Sequence, residues 1–590
     1  INLIIKMDKK YYTNERNVQI VLFLLKANGI KKVVASPGTT NLTLVASMQQ
    51  DSFFEMYSSV DERSAAYIAC GLAEESGEPV VLTCTGATAS RNYTPGLTEA
   101  FYRKLPILAI TATQNLSRIG HHIPQVIDRR VLANDIAKLS VYLQSVKDKT
   151  DEWDCEIKAN KALQALKKHG GGPVHINLET TYSRNFSVKE LPVARIINCI
   201  TIHDEFPQMP SGRIGVFVGS HTAWTKEQIS IMDHFCASND AVVFCDHTSN
   251  YKGKYRVLFS LPLSQDNNYT ELANLDLLIH IGEVSGEYAV LDCLKAKSVW
   301  RVNEDGEIRD TFRTLHFVFE MPEASFFQHY IKEGEAMDTY LKSCHEKCKM
   351  IYDKIPEIPF SNIWVAKQLA PRLPENSVLH LGILNTLRSW NFFEVPNSVL
   401  SYSNVGGFGI DGDISSLIGA SLAHRDKLYF GVLGDLAFFY DMNVLGNRHV
   451  GNNVRIILIN NGRGIEFRNY NHPAAQFGKM ADPFMAAAGH YGNQSSDLVK
   501  HYAQDLGYEY LCASSKEDFE KVASRYLTPE LTDKPILFEI FTNTESEKEA
   551  LISIRSIETS NSTIFLKKVK RVARQLLGES SIERIKKILK

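Results

Sequence analysis

Two apolar runs in the last third of the chain end in residues that can ligate a metal. Lys427 to Leu433 (KLYFGVL) leads into Gly434-Asp435, and Val454 to Ile459 leads into Asn460-Asn461-Gly462. Read as buried parallel strands, each run delivers an oxygen ligand at its C-terminal tip, where open α/β sheets bind their ligands. The separation of 26 positions from Asp435 to Asn461 suits one βαβ crossover. A carboxylate, an amide oxygen and a bare loop carbonyl make a hard-oxygen set of the kind Mg²⁺ takes, completed by water and phosphate oxygens. The expected cargo is a diphosphate. Either residue alone is an ordinary strand-end turn residue; the pair argues for chemistry.

The elements that must position these groups follow a β-then-α rhythm. NERNVQIVLFLLKA (14–27) reads as an amphipathic helix, and Lys32 to Ala35 as a strand opening into Ser36-Pro37-Gly38-Thr39-Thr40. A second strand, 53–58, reaches Val60-Asp61-Glu62-Arg63, ahead of a small-residue helix, SAAYIACGLAEES. Strands at 79–84, 106–110 and 173–178 complete the first unit, with Thr85 to Thr88 opening a helix and Ile119 to Gln125 forming a loop. The polar stretch 179–211 reads as a linker. Four further short strands follow (VFVGSH, AVVFCD, LLIHIGE, SVWRVN), then helical, charged sequence over 324–355. The pattern predicts an α/β protein of three doubly wound parallel-sheet domains. The expected boundaries are 10–185, 210–345 and 357–545, with a basic helical tail over 546–590.

Composition sets the outer limits. With 590 residues, 44% of them apolar and 22% charged, the chain has the make-up of globular material divided into several domains. A net charge of −2 gives no reason to expect nucleic acid. The ten cysteines are scattered, as expected of a reduced, cytoplasmic protein. The Cys344 to Cys348 pair lacks the second ligand pair of a zinc site. No apolar run is long enough to span a bilayer, and no signal peptide is read ahead of the first domain. The six residues before Met7, INLIIK, are set aside from fold reasoning. From Lys567 to Lys590 nine basic residues face two acidic ones, with Ile582, Ile585 and Leu589 at helical spacing. That tail reads first as a solvated or subunit-packing helix and only second as a membrane-contacting one.

Several motifs in order resemble the thiamine-diphosphate (ThDP) enzymes: Asp61-Glu62-Arg63-Ser64-Ala65-Ala66, Thr85-Gly86-Ala87-Thr88, Gly409-Ile410-Asp411-Gly412, and Gly434-Asp435-Leu436 with Asn461. The branch most resembled is the succinyl-enolpyruvyl-hydroxycyclohexene-carboxylate synthase of menaquinone biosynthesis, over most of residues 10–545. The resemblance implies a pyrimidine-binding, a central and a diphosphate-binding domain. It implies that Glu62 hydrogen-bonds the aminopyrimidine and favours its imino form, a task for a partly buried carboxyl with a raised pKa. It also implies Mg²⁺ on Asp435, Asn461 and the Arg463 carbonyl, and Leu436 and Ala437 amides facing the diphosphate. Ala437 replaces a serine common in the family. Thr85, Gly409, Asp411, Gly434, Gly464 and Ile465 would complete the cofactor contacts, and Ile410 would wedge the cofactor into its bent form. Relatives join the two binding halves across subunits, so a homodimer or homotetramer is expected.

Substrate identity is where the chain departs from that branch. Thr40, Gln114 and Val405 stand where the synthases place arginines, and Arg388 is retained. Fewer guanidinium clamps should mean weaker recognition of a dicarboxylic donor. His121-His122 and Glu466 resemble the paired histidines and glutamate of pyruvate-decarboxylase-type enzymes, and either could carry a proton to the carbanion left by CO₂. Thr39 stands where the decarboxylases have an aspartate. Thr39, Thr40, Gln125, Arg388 and Val405 are the candidate substrate contacts. The function expected is ThDP- and Mg²⁺-dependent decarboxylation of a 2-oxo acid with transfer of the acyl carbanion to an acceptor. Release of a free aldehyde is the alternative, and a non-catalytic scaffold the remote one.

Overall fold

The computed structural model describes residues 11–266, 270–489 and 495–558. The basic run at 567–590 and the INLIIK opening lie outside the described residues.

Three parallel sheets organise the chain. The first has six strands in the order Glu55–Ser58, Lys32–Ala35, Val80–Cys84, Ile107–Thr113, Val174–Glu179, Leu139–Leu143. Its central strands, Val80–Cys84 and Ile107–Thr113, are buried along their whole length. They read as unbroken apolar runs because helices cover both faces of the sheet. The second sheet has seven strands, ordered Arg256–Leu258, Val242–Cys245, Ile214–Val218, Asn274–Ile281, Lys295–Val302, Leu315–Glu320, Asn198–Thr201. The third runs Leu400–Tyr402, Val378–Leu381, Tyr429–Gly434, Val454–Asn460, Ile536–Phe541, Glu509–Ala513.

By internal contacts the chain forms two compact units. One holds residues up to Ile200 with Gly306–Val318; the other holds Thr201–Asp305 and the chain from Phe319 onward. Within the second unit, Asn250 docks its side-chain amide on the edge strand of the third sheet, donating to the Ser401 carbonyl (3.1 Å) and accepting from its N–H (2.9 Å).

Local chemistry accounts for the element that carries Glu62. The helix Glu62–Ser76 is capped by Asp61, whose carboxylate accepts the Ser64 N–H at 2.7 Å, and it ends at Gly77 in the left-handed region (φ 66°). Glu62 is therefore the first helical residue and not the cap. The buried face of that helix is Ala65, Ala66, Ala69, Cys70 and Ala73, small enough for the helix Thr94–Arg103 to approach closely. Gly96 is the contact point: a Cβ there would lie 2.5 Å from the Ala66 Cβ and 3.0 Å from its carbonyl carbon.

Some elements differ from the sequence expectation. The 179–211 stretch contributes a strand, Asn198–Thr201. The helical span 324–355 is two helices, Glu323–His329 and Thr339–Tyr352, separated around Gly334 (φ 152°). Strands Leu139–Leu143 and Leu315–Glu320 and the helix Lys149–Ala165 add to the pattern read from sequence. Cys344 and Cys348 lie one turn apart on Thr339–Tyr352, and among the described residues no cluster of three His, Cys, Asp or Glu side chains could hold a metal. No helix among the described residues is long and apolar enough to cross a membrane.

Gly96→Val should push the two helices apart and lower stability by about 1–3 kcal/mol, the usual cost of overpacking. A chemical-denaturation midpoint unchanged from the parent would show that the interface relaxes without strain.

Candidate cofactor site

The third sheet reverses its winding between Val378–Leu381 and Tyr429–Gly434, and the carboxyl ends of these strands open a crevice. Gly382, Ile383 and Leu384 line one wall; Gly434, Asp435, Leu436 and Ala437 line the next. Asn461, Arg463, Gly464, Ile465 and Glu466 close the far side, with Ile410 and Asp413 alongside. The register brings the two oxygen-bearing tips together, since Gly434 pairs with Ile459. The cavity measures about 120 Å³. Small-molecule sites run to roughly 300–1,000 Å³, so these walls hold part of a cofactor, as one end of an elongated molecule would need.

Asp435 is the anchor of the crevice. It begins the helix Asp435–Asp441 and is 4% exposed. One carboxylate oxygen accepts the Leu436 N–H (2.8 Å) and the other the Gly462 N–H (2.6 Å), so a single side chain ties both strand tips. Burial pushes its pKa up to about 6, against the pull of the Leu436, Gly462, Arg463 and Asn461 N–H groups. Asn461 Oδ1 is buried and has no hydrogen-bond partner among the described residues. A buried carboxyl without a cationic partner beside an unpaired amide oxygen is a donor set suited to a hard cation. The residues present fit Mg²⁺ carrying a diphosphate. One expectation is revised: the Leu436 amide is engaged by Asp435 and is not free for a phosphate oxygen.

The remaining cofactor residues sort by position. Ile410 is half-buried against the core that includes Ile414, Leu417 and Phe438, so it can pack and still face the crevice. Gly409 and Asp411 turn the chain ahead of the helix Asp413–Ser421, and a Cβ on Gly409 would meet the Asp411 carboxylate at 2.6 Å. Thr85 belongs to the first unit, at the corresponding switch point of the first sheet, with its methyl group over Gly38. Glu62, in the same unit, is partly buried and accepts from the Asn92 side chain at 3.3 Å.

The candidate substrate residues sit in different surroundings. Val405 is 3% exposed and packs in the apolar core with Leu387 and Phe393, so it offers a ligand nothing. Thr40 is also buried: its hydroxyl accepts the Gly86 N–H (3.2 Å) and its carbonyl accepts the Thr180 hydroxyl (2.7 Å). It ties loops together. Arg388 is not a free clamp, because its guanidinium grips Glu466 with two prongs, at 3.0 and 3.1 Å. Gln114 is bonded to Arg118. Thr39, His121, His122 and Gln125 are exposed on loops of the first unit, with His122 and Gln125 at positive φ (54° and 65°).

The structure adds two residues that the sequence did not single out. Leu384 lines the crevice at φ 62°, ψ −116°, a strained conformation for a branched side chain and a common mark of a functional loop. Asp413 sits one residue past the Gly409 to Gly412 motif and is 8% exposed. One of its oxygens accepts from Asn404 (3.2 Å); the other has no partner among the described residues and shares a cavity of about 10 Å³ with His380 and Ser403. Burial, with help from Asp441 and Asp411, raises its pKa to about 7.

Residues 16–132 match the N-terminal TPP binding domain of thiamine pyrophosphate enzymes. Over 568 residues the chain is 30% identical to the 2-succinyl-5-enolpyruvyl-6-hydroxy-3-cyclohexene-1-carboxylate synthase of Bacteroides thetaiotaomicron, covering 92% of this chain and 98% of that protein. The synthases of Phocaeicola vulgatus (30%, 92% and 98%) and Christiangramia forsetii (30%, 90% and 97%) are similarly related. The chain belongs to the thiamine pyrophosphate enzyme family, on the branch that contains these synthases.

Asp413 makes a pH-dependent prediction. Folded, it holds its proton to about pH 7; unfolded, it releases it near 4. The native state therefore loses stability as pH rises through that window, by an amount on the order of a few kcal/mol at pH 8. Asp413→Asn should melt higher than the parent at pH 8 and no higher at pH 4. Equal melting differences at both pH values would contradict the assignment.

Proposed function

We propose that this chain catalyses ThDP- and Mg²⁺-dependent decarboxylation of a 2-oxo acid and transfer of the resulting acyl carbanion to an acceptor. The observation that carries the proposal is the crevice at the tips of Tyr429–Gly434 and Val454–Asn460, where buried Asp435 and the unpaired Asn461 oxygen converge. The relatives on this branch are named as synthases of a succinyl-bearing ring acid, which favours carbon–carbon bond formation over release of an aldehyde.

When bound, ThDP supplies the carbon nucleophile for the 2-oxo carbon and a sink for the electron pair left by CO₂. Asp435, Asn461 and the Arg463 carbonyl would hold Mg²⁺ and through it the diphosphate. Ile410 would support the cofactor's bend with an apolar surface. Glu62 would hydrogen-bond the aminopyrimidine and favour the imino form of that ring, which is basic where a proton must be removed. His121 and His122, on their exposed loop, are the groups available to move a proton to or from reactant oxygen. Two copies of the chain are the expected active assembly.

Two measurements test this reading. The Mg²⁺- and ThDP-loaded protein, given a panel of 2-oxo acids with and without aldehyde or enoate acceptors, should release CO₂ and give a ligated product by mass spectrometry. Free aldehyde as the only product would replace the ligase reading with simple decarboxylation. Glu62→Gln should lower turnover at least about a hundredfold, the range of a lost general acid–base, while still binding ThDP. Undiminished turnover would remove Glu62 from the chemistry.

A further inference from the structure

The Arg388–Glu466 pair stands out on the crevice wall. Arg388 lies on the short helix Asn385–Trp390, which follows one strand of the switch point, and Glu466 lies on the turn Ile465–Arg468 beyond Asn461. The guanidinium donates through both terminal nitrogens to the two oxygens of one carboxylate, at 3.0 and 3.1 Å, and also to Asn385 Oδ1 at 3.1 Å. Asn469 locks the arrangement, donating to Glu466 (3.2 Å) and to Asn385 (2.9 Å). Both side chains are mostly covered, at 17% and 19% exposed. Glu466 and Asn385 line the crevice itself.

A two-pronged arginine–carboxylate contact satisfies the planar fork that would otherwise receive a ligand's carboxylate. An anionic substrate tail entering here meets a neutral pair whose crevice-facing member is negative. It must either displace Glu466, leaving a half-buried carboxylate unpaired, or accept repulsion from it. An uncharged tail has neither cost. Of the other positions where the resemblance places arginine, Thr40 and Val405 are buried in structural contacts, and Gln114 carries no charge and is bonded to Arg118.

We infer that Glu466 is a specificity-determining residue that cancels Arg388, so that the site selects 2-oxo acids with an uncharged tail and discriminates against dicarboxylic ones. This rests on the proposed reaction for its substrate class, but the test does not need turnover.

Radiolabelled glutarate, a dicarboxylate with no 2-oxo group, is dialysed to equilibrium against the ThDP- and Mg²⁺-loaded protein. The parent should bind it weakly, and Glu466→Gln at least about tenfold more tightly, as expected when a guanidinium is freed for charge-assisted pairing. The double variant Arg388→Met/Glu466→Gln should lose that gain. Equal affinity in parent and Glu466→Gln, or a gain that survives in the double variant, overturns the inference. Should Glu466→Gln fail to fold by circular dichroism, Arg388→Met alone decides. It should leave glutarate affinity unchanged; a tenfold loss would mean that Arg388 already serves anions. In the turnover assay, Glu466→Gln should raise kcat/KM for 2-oxoglutarate relative to 2-oxopentanoate, chiefly through KM. A uniform fall in kcat on both acids with glutarate affinity unmoved would make Glu466 a proton carrier and overturn the inference. Failure of every acid to release CO₂ would sink the proposed reaction and leave the dialysis result standing.

Discussion

The crevice depends on one buried carboxylate. Asp435 accepts one N–H from its own helix start and one from Gly462, across the boundary between adjacent strands. Those two bonds hold the Gly434 and Asn460 tips in the register that the parallel pairing sets. They also leave a carboxyl group in a place where burial raises its pKa to about 6. Backbone N–H groups stabilise a carboxylate only in part, and a buried anion calls for a cation. The geometry at the tips and a setting suited to a cation are thus two consequences of the same placement.

The rest of the crevice builds outward from that anchor. Gly464 lies so close to Leu436 and Phe467 that a Cβ would stand 3.2 and 3.1 Å from their side chains, which brings the two loops into contact. Beyond it the chain turns through Glu466, and the Arg388 pair joins this loop to the one after Val378–Leu381. The strained Leu384 sits on the same connection, three residues past the strand. Asp413, at the start of its helix, adds a second buried carboxyl whose raised pKa keeps it from adding a full negative charge near a diphosphate. On the Arg388 wall the one guanidinium is matched by the one carboxylate, so this wall offers an anionic tail no net positive charge.

Much of this was legible in sequence, for physical reasons that can be named. Buried parallel strands are apolar along their length, so Val80–Cys84 and Val454–Asn460 were readable, and with them the oxygen ligands at their tips. The strand Leu139–Leu143 is an edge strand with exposed and half-covered positions, and Asn198–Thr201 is short and polar; neither carries that signal. Residue type and position said nothing about partners. That Glu466 fills the Arg388 fork, and that Val405 and Thr40 are buried, follows from contacts between distant parts of the chain, which residue type does not encode. Asp413 was hidden one residue past a motif, and the backbone strain at Leu384 has no sequence signature.

Asp435 and Asn461 are proposed to bind a metal that carries the diphosphate. Isothermal titration of ThDP into the protein tests it most directly, run in excess Mg²⁺, in EDTA, and with Asp435→Ala in excess Mg²⁺. Saturable binding is expected in Mg²⁺, with an affinity at least about a hundredfold lower both in EDTA and in the variant, given the ligand chemistry of such sites. Equal affinity under all three conditions would contradict it.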